Sequence, residues 1–392
     1  MAPPMQSKLA RRGTPNLHQE YGRRWNEVLM TNGYFYMGDA SLIWNRRSPL
    51  WRPSRVLTTK DDGVSPVIWR NACPHNWKRL VKPTAMPEKV SVNRPLVCGF
   101  HSLSFDQVGQ IRQCGHMTGV SAKELPEQRC KESPHFVWPG QDLVFELGQN
   151  ADRAKQELHA NLAFVDEAGR GLFDFADYRL HCSLAVPQKA DALMSIVNYL
   201  DIRHVRNHRE TLAPLVDLND YQHCASASGA GVIQFMGVNP TVLFTDLGKF
   251  YRRAELPDPE YGAAWMTTPM GFMLEAYLPP RGVIVVSQCF PHPERWWECT
   301  FYHDFYYHKE HVRQYHLAAD KRKTFIGEHQ DIFKRTGDED EEWCGEATDN
   351  LRTMIAEGGG AEPWGFLDPT QENYGHWYYQ MAEVRLRELV GC

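Results

Sequence analysis

Two short motifs, each pairing a cysteine with a histidine, constrain this chain more than any other feature of its sequence. One residue separates Cys73 from His75, two residues separate Cys98 from His101, and 22 residues lie between the motifs. Two thiolates and two imidazoles are the ligands of a [2Fe–2S] cluster in which the cysteines hold one iron and the histidines hold the other. Because imidazole ligands raise the reduction potential of such a cluster, the motifs predict an electron-transfer centre.

A structural zinc site is the competing interpretation, since it can also use two cysteines and two histidines. Zinc fingers, however, pair cysteine with cysteine and histidine with histidine, and at least two residues usually separate the first pair. Here each motif mixes the two ligand types, and the first motif has a single intervening residue. The spacing therefore favours an iron–sulfur cluster of the Rieske type over zinc.

The segments that flank both motifs have the composition of β-strands. A β-branched run at residues 56–59 and a turn sequence at 61–63 precede the apolar residues 67–69, which lead into the first motif. Residues 95–97 lead into the second motif, and residues 102–105 leave it with apolar side chains at alternate positions. Both ligand pairs are therefore expected on loops at the ends of hairpins, where two loops can close over a cluster from opposite sides.

A second constellation lies in a segment that is predicted to be helical from about Ala190, because its apolar residues recur at helical spacing. On a helix His204 and His208 share a face, and Asp201 lies one turn before His204. Two histidines and a distant carboxylate form the facial triad of non-haem Fe(II) oxygenases, which leaves positions open for O₂. In a chain with 17 histidines such a pair alone is more often a solvated face. An electron carrier in the same chain, however, requires an acceptor.

Together the two constellations resemble the α subunit of a Rieske non-haem iron oxygenase, and the resemblance covers nearly the whole chain. In that family a C-x-H…C-x₂-H domain precedes an N-x-x-D-x-x-H-x₃₋₄-H segment, and an aspartate far downstream completes the iron site. The H-x₃-H spacing is most similar to the carbazole-dioxygenase branch. The resemblance implies an α+β fold, with an all-β Rieske domain and a catalytic domain of helix-grip (START-like) type, in which helices flank an antiparallel sheet.

Carried over by position, the resemblance implies metal-binding roles for seven residues. The cluster ligands would be Cys73, His75, Cys98 and His101, and the ligands of the mononuclear Fe(II) would be His204, His208 and Asp331. The resemblance also implies that Asp201 bridges the two metal centres across a subunit boundary and that Asn198 lies close to the iron.

Several carboxylates compete for the position of the third iron ligand. Asp331 is flanked by apolar residues that would turn it inward, whereas Glu328 lies one turn away and the acidic run 338–342 is expected to be a solvated loop. A histidine-rich stretch is a weaker metal candidate, because its first member lies in a predicted strand and the others lie at the start of the next helix. Its members are His303, His308, His311 and His316.

A chain of 392 residues with 42% hydrophobic residues is long enough for two domains. Residues 1–33 would form a helical segment packing on the catalytic domain, residues 34–150 the Rieske domain, and residues 151–392 the catalytic domain. Catalytic-domain strands are predicted at 232–236, 241–244, 271–278, 283–288 and 296–306, and helices at 309–335 and 373–390. Strands grouped before helices are typical of an α+β fold.

Composition excludes several classes of function. The net charge of −5 gives no signature of nucleic-acid binding, and no apolar stretch approaches the length of a membrane span. The N-terminus lacks the apolar core of a signal peptide. The eight cysteines outside the two motifs are scattered without a pairing pattern, which is typical of reduced thiols and predicts a cytoplasmic protein.

The chain contains no glycine-rich dinucleotide fingerprint, so electrons from NAD(P)H are expected to come through a separate reductase, with or without a ferredoxin. The resemblance implies the terminal oxygenase of such a system, a homotrimer that uses O₂ to hydroxylate or dihydroxylate a small aromatic or heterocyclic substrate. The alternative is an N- or O-demethylating monooxygenase acting on an alkylated amine, including a quaternary ammonium, or on an ether. A rival of another class is an electron carrier whose second domain only binds partners.

Overall fold

The computed structural model describes most of the chain. The described residues are 14–40, 44–46, 55–59, 65–73, 80, 96–99, 102–106, 108–114, 132–360 and 373–390. Helices and strands alternate along the chain in long blocks, and the predicted α+β class is confirmed.

The described residues form seven α-helices and three short 3₁₀ turns. The α-helices are α1 (Pro15–Asn32), α2 (Ala151–Ala168), α3 (Ala192–Leu200), α4 (Asp246–Arg252), α5 (Lys309–Leu317), α6 (Phe325–Ala356) and α7 (Asn373–Val390). The 3₁₀ turns are Ile202–Asn207, Val242–Phe244 and Lys321–Lys323. Within the described residues, no helix combines the length and the apolar character that crossing a membrane requires.

The chain divides into two compact units. One unit is Met30–Gln156, and the other joins Glu157–Cys392 to the N-terminal segment that ends at Leu29. Both boundaries fall inside helices, α1 and α2, a few residues from the expected positions 33/34 and 150/151. The roles assigned to these units from the sequence remain predictions.

The described residues of the unit Met30–Gln156 form ten short strands in three antiparallel sheets, ordered β1-β10-β9, β2-β3-β4-β8 and β5-β6-β7. Its strands are β1 (Tyr34–Asp39), β2 (Trp44–Arg46), β3 (Arg55–Thr59), β4 (Pro66–Arg70), β5 (Leu96–Val97), β6 (Leu103–Phe105), β7 (Ile111–Cys114), β8 (Glu132–Ser133), β9 (His135–Val137) and β10 (Leu143–Leu147). Strands are therefore present where they were expected, before the first Cys/His motif and on both sides of the second.

The other unit is built on one seven-stranded antiparallel sheet, ordered β11-β17-β16-β15-β14-β13-β12. Its strands are β11 (Tyr178–Gln188), β12 (Val216–Ala225), β13 (Val232–Val238), β14 (Ala263–Thr267), β15 (Phe272–Tyr277), β16 (Val283–Pro291) and β17 (Cys299–His308). Every residue of β14, β15 and β16 is buried, so both faces of the sheet centre are covered.

Several local predictions are wrong. The single helix expected over residues 309–335 is divided, because α5 ends at Leu317 and α6 begins at Phe325. Residues 241–244 were expected to be a strand, but Val242–Phe244 is a 3₁₀ turn, because Asn239 accepts hydrogen bonds from the amide and hydroxyl of Thr241 and tightens the chain there. The acidic run 338–342 was expected to be a solvated loop, but it lies in the middle of the 32-residue helix α6.

Buried polar contacts tie α1 to the sheet-bearing unit. The Asp191 carboxylate is fully buried, caps α3 by accepting from the amides of Leu193 and Met194, and lies 3.1 Å from Nδ1 of His18 on α1. Its own amide donates to the Thr348 hydroxyl on α6 at 3.0 Å. One aspartate therefore connects three helices.

Replacing Asp191 by alanine should destabilise this unit strongly. The change leaves a buried imidazole and two helix-end amides without an acceptor, which costs about 3 kcal/mol. Asp349→Ala is the matched control, because Asp349 pairs with exposed Arg352 on the surface of α6. Thermal unfolding followed by circular dichroism should show a fall in midpoint for Asp191→Ala of several degrees and almost none for the control; equal midpoints would contradict the anchor role.

Candidate active site

The two histidines of the predicted iron motif do not lie on one continuous α-helix. Helix α3 ends at Leu200, and Asp201 leaves the helical conformation with φ −90° and ψ 87°. The Asp201 side chain accepts from the amide of Arg203 at 3.1 Å and so starts the 3₁₀ turn that carries His204, while His208 follows the end of that turn. The turn still brings the two rings together, with their centroids 5.2 Å apart.

A carboxylate from α6 faces the two imidazoles. Oδ1 of Asp340 lies 3.6 Å from Nε2 of His204 and 3.1 Å from Nε2 of His208. One ligand atom from each of these residues lies within 4.8 Å of the others, and no second group of this kind occurs in the described part of the chain. This donor set fits a 2-His-1-carboxylate iron centre.

Hydrogen bonds on the far side of each ring fix which nitrogen faces Asp340. Nδ1 of His208 lies 2.5 Å from Oε2 of Glu339, and Nδ1 of His204 is hydrogen-bonded to the backbone carbonyl of Asp201. Because a carboxylate and a carbonyl can only accept, both rings carry the proton on Nδ1 and direct the Nε2 lone pair toward Asp340. Nε2 of His208 is buried and lacks a well-directed hydrogen bond, as expected for a nitrogen prepared to bind a metal.

Electrostatics differ between the two rings. Burial lowers the pKa of His204, which favours the neutral form that binds metals. Burial also acts on His208, but the nearby carboxylates of Asp340 and Glu339 outweigh it and raise the pKa. A cation bound between the rings would therefore replace a proton that the carboxylates attract.

The prediction that Asp331 is the third ligand is not supported by the geometry. The Asp331 side chain is 61% exposed and is paired with Arg335 at 2.9 Å, whereas that of Asp340 is 17% exposed. The two aspartates are nine residues apart on α6, about two and a half turns, so they lie on opposite faces of the helix. Only one of them can face the histidines, and it is Asp340.

Asn198 and Asp201, the other two residues implied by the resemblance, both lie beside the triad. Nδ2 of Asn198 donates to Oδ1 of Asp340 at 2.8 Å and so positions the carboxylate. Asp201 contacts His204 through its backbone carbonyl, and its half-buried side chain caps the 3₁₀ turn. The bridge expected from Asp201 to His101 involves a residue outside the described part of the chain.

A cavity of about 370 Å³ opens beside the triad, between α3, α6 and the inner face of the sheet. Its walls are largely apolar and include the aromatic rings of Tyr199, Trp265, Tyr277, Phe301 and Phe305. Both His204 and Asp340 line the same cavity. A small apolar molecule in it would lie against the candidate metal ligands.

Behind the aromatic wall lies a buried hydrogen-bonded network that the sequence did not reveal. Ser287 Oγ donates to Oε1 of Glu275 at 2.6 Å and lies 2.8 Å from Nδ1 of His303, and Tyr277 donates to the other Glu275 oxygen at 2.7 Å. Burial raises the pKa of Glu275 to about 7 and lowers the pKa of His303 to about 3. His303 was considered as a metal ligand, but it belongs to this network and not to the triad.

The described part of the Rieske motifs agrees with a cluster site. Cys73 follows β4, and Cys98 lies in the turn between β5 and β6, where its amide donates to the Leu103 carbonyl at 2.8 Å. Both cysteines are fully buried and belong to one apolar cluster with residues such as Trp69 and Phe105. Two buried cysteines in one apolar cluster fit the cysteine half of the cluster ligands. His75 and His101 lie outside the described residues.

No protein-family model and no curated protein matches this chain. Solved structures do. The quaternary ammonium Rieske monooxygenase CntA in complex with an inhibitor is 15% identical, with 96% of each chain covered and a TM-score of 0.72. Naphthalene 1,2-dioxygenase from Rhodococcus sp. is 12% identical, with 94% of this chain and 92% of that chain covered and a TM-score of 0.64.

Dicamba monooxygenase bound to dicamba is 13% identical, with 93% of this chain and 99% of that chain covered and a TM-score of 0.52. This chain has the fold of the Rieske oxygenases. The resemblance inferred from the motifs is thus confirmed for the fold, while the carbazole-dioxygenase-like branch and the individual ligands stay predictions.

Metal binding should depend on Asp340 and not on Asp331. Asp340→Ala removes the carboxylate that faces both Nε2 atoms. It should weaken Fe(II) binding at least about 100-fold, because removing a direct ligand costs more affinity than removing a residue that only hydrogen-bonds to a ligand. Anaerobic titration of metal-depleted protein with Fe(II) measures this affinity. Asp331→Ala is the matched control on the same helix and should bind as the unmodified protein does; the reverse pattern would restore the original assignment.

Proposed function

We propose that this chain is the terminal oxygenase component of a Rieske oxygenase system, which uses O₂ and electrons from an NAD(P)H-dependent reductase to hydroxylate or dihydroxylate a small aromatic or heterocyclic substrate. The observation that carries the proposal is the convergence of His204, His208 and Asp340 beside an aromatic cavity. A structural or partner-binding domain has no need for three ligand atoms beside such a cavity. An electron carrier without oxygenase activity is therefore disfavoured.

The proposed iron ligands are His204, His208 and Asp340, and the proposed cluster ligands are Cys73, His75, Cys98 and His101. When bound, the cluster supplies electrons and the mononuclear iron activates O₂. The chain's own residues hold these ligands in place: Glu339 and the Asp201 carbonyl fix the two imidazoles, and Asn198 fixes the carboxylate. The aromatic walls would orient the substrate over the open side of the triad and exclude water.

The cavity supports a small and largely apolar substrate. Its volume of about 370 Å³ lies at the lower end of the range for small-molecule sites, about 300–1,000 Å³. Rings of Tyr199, Trp265 and Phe301 offer flat surfaces against which an aromatic substrate can stack. Most of the surface that the wall presents to the cavity is apolar, which is typical of a site that selects by shape and by one or two hydrogen bonds.

A second candidate is oxidative demethylation of an alkylated amine. The rings of Phe301, Tyr199, Trp265 and Tyr277 follow one another at centroid distances of 5.8, 6.0 and 6.4 Å, and the buried Glu275 carboxylate lies behind them, hydrogen-bonded to two hydroxyl groups. Aromatic rings with a nearby carboxylate attract quaternary ammonium groups. CntA, which shares this fold, is a quaternary ammonium monooxygenase seen in complex with L-carnitine and γ-butyrobetaine. Calorimetric titration with tetramethylammonium and with indole would separate the two candidates.

The oxygenase proposal predicts the iron content and a division of labour between the two sites. Protein as isolated should hold about three irons per chain, two in the cluster and one in the mononuclear site. Cys98→Ala should lose the visible absorption of the cluster and all O₂-dependent product formation, yet keep about one Fe(II) per chain. Cys114→Ala is the control, since Cys114 packs against the same apolar cluster but lies in neither motif. Cluster absorption that survives in Cys98→Ala would refute the ligand assignment.

We infer a homotrimer in which the cluster of one subunit serves the iron of the next, with Asp201 at the boundary. A quaternary ammonium Rieske monooxygenase that shares this fold transfers electrons between its subunits. A head-to-tail ring closed by rotation provides such an arrangement. In this chain Asp201 occupies the joint between α3 and the turn that carries His204, where one carboxylate oxygen caps the turn. We propose that the other oxygen contacts the neighbouring subunit.

Asp201→Asn tests this route without disturbing the iron site. The His204 contact is made by the backbone carbonyl and the cap needs only one oxygen, so the variant should keep both metal centres and the assembly. Loss of the charge should slow reoxidation of a prereduced cluster, measured in a single turnover with O₂ and substrate, by at least about tenfold. Reoxidation at the normal rate, or full activity of a monomer, would reject the inter-subunit route.

A further inference from the structure

The network behind the cavity wall connects a buried carboxylate to a cavity-facing imidazole. Glu275, Ser287 and His303 lie on the adjacent strands β15, β16 and β17, and Ser287 and His303 are register partners. His303 lines the cavity, whereas Glu275 and Ser287 lie behind it. All three side chains are at most 3% exposed, so water does not compete for their hydrogen bonds.

The His303 ring has one nitrogen committed to the network and one left for a ligand. Nδ1 contacts the Ser287 hydroxyl, and Nε2 has no hydrogen-bond partner among the described residues. The ring is stacked on Phe301 at 5.5 Å and meets the edge of Phe333 at 5.0 Å, which holds its plane fixed. Nε2 can therefore form a hydrogen bond with a polar group of a molecule in the cavity without any rearrangement of the cavity wall.

The direction of the hydrogen bonds depends on one proton. When Glu275 is ionised, Ser287 donates to it and must accept from Nδ1–H of His303, so Nε2 is an acceptor. When Glu275 carries a proton on Oε1, it donates to Ser287, whose hydroxyl then donates to Nδ1, and Nε2–H becomes a donor. The network takes up one proton from solvent: the carboxyl gains it, and the imidazole exchanges Nδ1–H for Nε2–H.

We propose that His303 is the polar anchor of the cavity and that protonation of Glu275, relayed by Ser287, decides whether Nε2 accepts or donates a hydrogen bond. Ligands with an N–H or O–H group are then selected when Glu275 is ionised, and ligands with a carbonyl group are selected when it is protonated. The proposal deepens the proposed function by naming the polar group that the substrate carries. It relies on that function only in treating the cavity as the substrate site.

The groups around Glu275 allow both its ionised and its protonated state. Tyr277 on the same strand and Ser287 on β16 donate hydrogen bonds to the Glu275 carboxylate. His303 faces the network from β17. Tyr199 on α3 and the charge of Asp340 on α6 interact with Glu275 electrostatically. Burial and the Asp340 charge raise the pKa, and the two hydrogen bonds lower it, with a net rise to about 7. Burial keeps His303 neutral, so the imidazole changes tautomer and not charge.

Ligand binding without turnover tests the proposal. Indole donates a hydrogen bond, 1-indanone accepts one, and 1-methylindole does neither. Calorimetric titration of the holoprotein without reductant should show indole binding about tenfold tighter, and 1-indanone about tenfold weaker, when the pH rises through two units centred on the Glu275 pKa. Binding of 1-methylindole should not change with pH.

Glu275→Gln provides the decisive variant, because an amide in place of the carboxyl cannot titrate. Its binding of indole and 1-indanone should be independent of pH, and the infrared band of a protonated carboxyl seen at low pH in the unmodified protein should be missing. Glu341→Gln is the control, since Glu341 lines the cavity but lies outside the network, and it should keep the pH dependence.

Three results would overturn the proposal: pH-independent binding of both ligands by the unmodified protein, pH dependence that survives in Glu275→Gln, or failure of all three compounds to bind. None of them depends on oxygenation. A protein that shows the expected binding pattern but forms no product would instead contradict the proposed function.

Discussion

The packing of α6 against the sheet is the constraint on which the candidate active site depends. This helix presents Asp340 and Glu339 toward the two imidazoles and leaves Asp331 in solvent on the opposite face. A partly buried carboxylate is unfavourable unless a hydrogen bond or a cation compensates it. Asn198 and the two histidines stabilise the Asp340 carboxylate. The same contacts bring the three candidate metal ligands together.

Much of the fold and the pairing of His204 with His208 could be predicted from the sequence, because the decisive signals were short range. The spacing of the Cys/His motifs, the strand patterns beside them and the pair His204 and His208 are all local. The prediction that one α-helix carries both histidines was wrong. Helix α3 ends at Leu200, and the Asp201 side chain caps a new turn there. The histidines converge through a different backbone path.

Finding the carboxylate that faces the two histidines required information that is not local. An acidic run has the composition of a solvated loop, and only the phase of a continuous helix shows that one of its members faces inward. That phase was present as a weak signal, since Thr336, Asp340, Cys344 and Thr348 recur every four residues and all but Asp340 are buried. The Glu275–Ser287–His303 network was beyond reach for the same reason: its members are distant in sequence and meet only through strand register.

Electrostatics connects the two networks across the cavity. The charge of Asp340 is one of the causes that raise the pKa of Glu275. A divalent cation bound by His204, His208 and Asp340 would offset that charge, which favours ionised Glu275 and, through Ser287, the acceptor form of His303. Metal occupancy and substrate polarity would then be coupled, although the two groups share no ligand. Because linkage is reciprocal, a hydrogen-bond donor bound to His303 would in turn favour the cation at the triad.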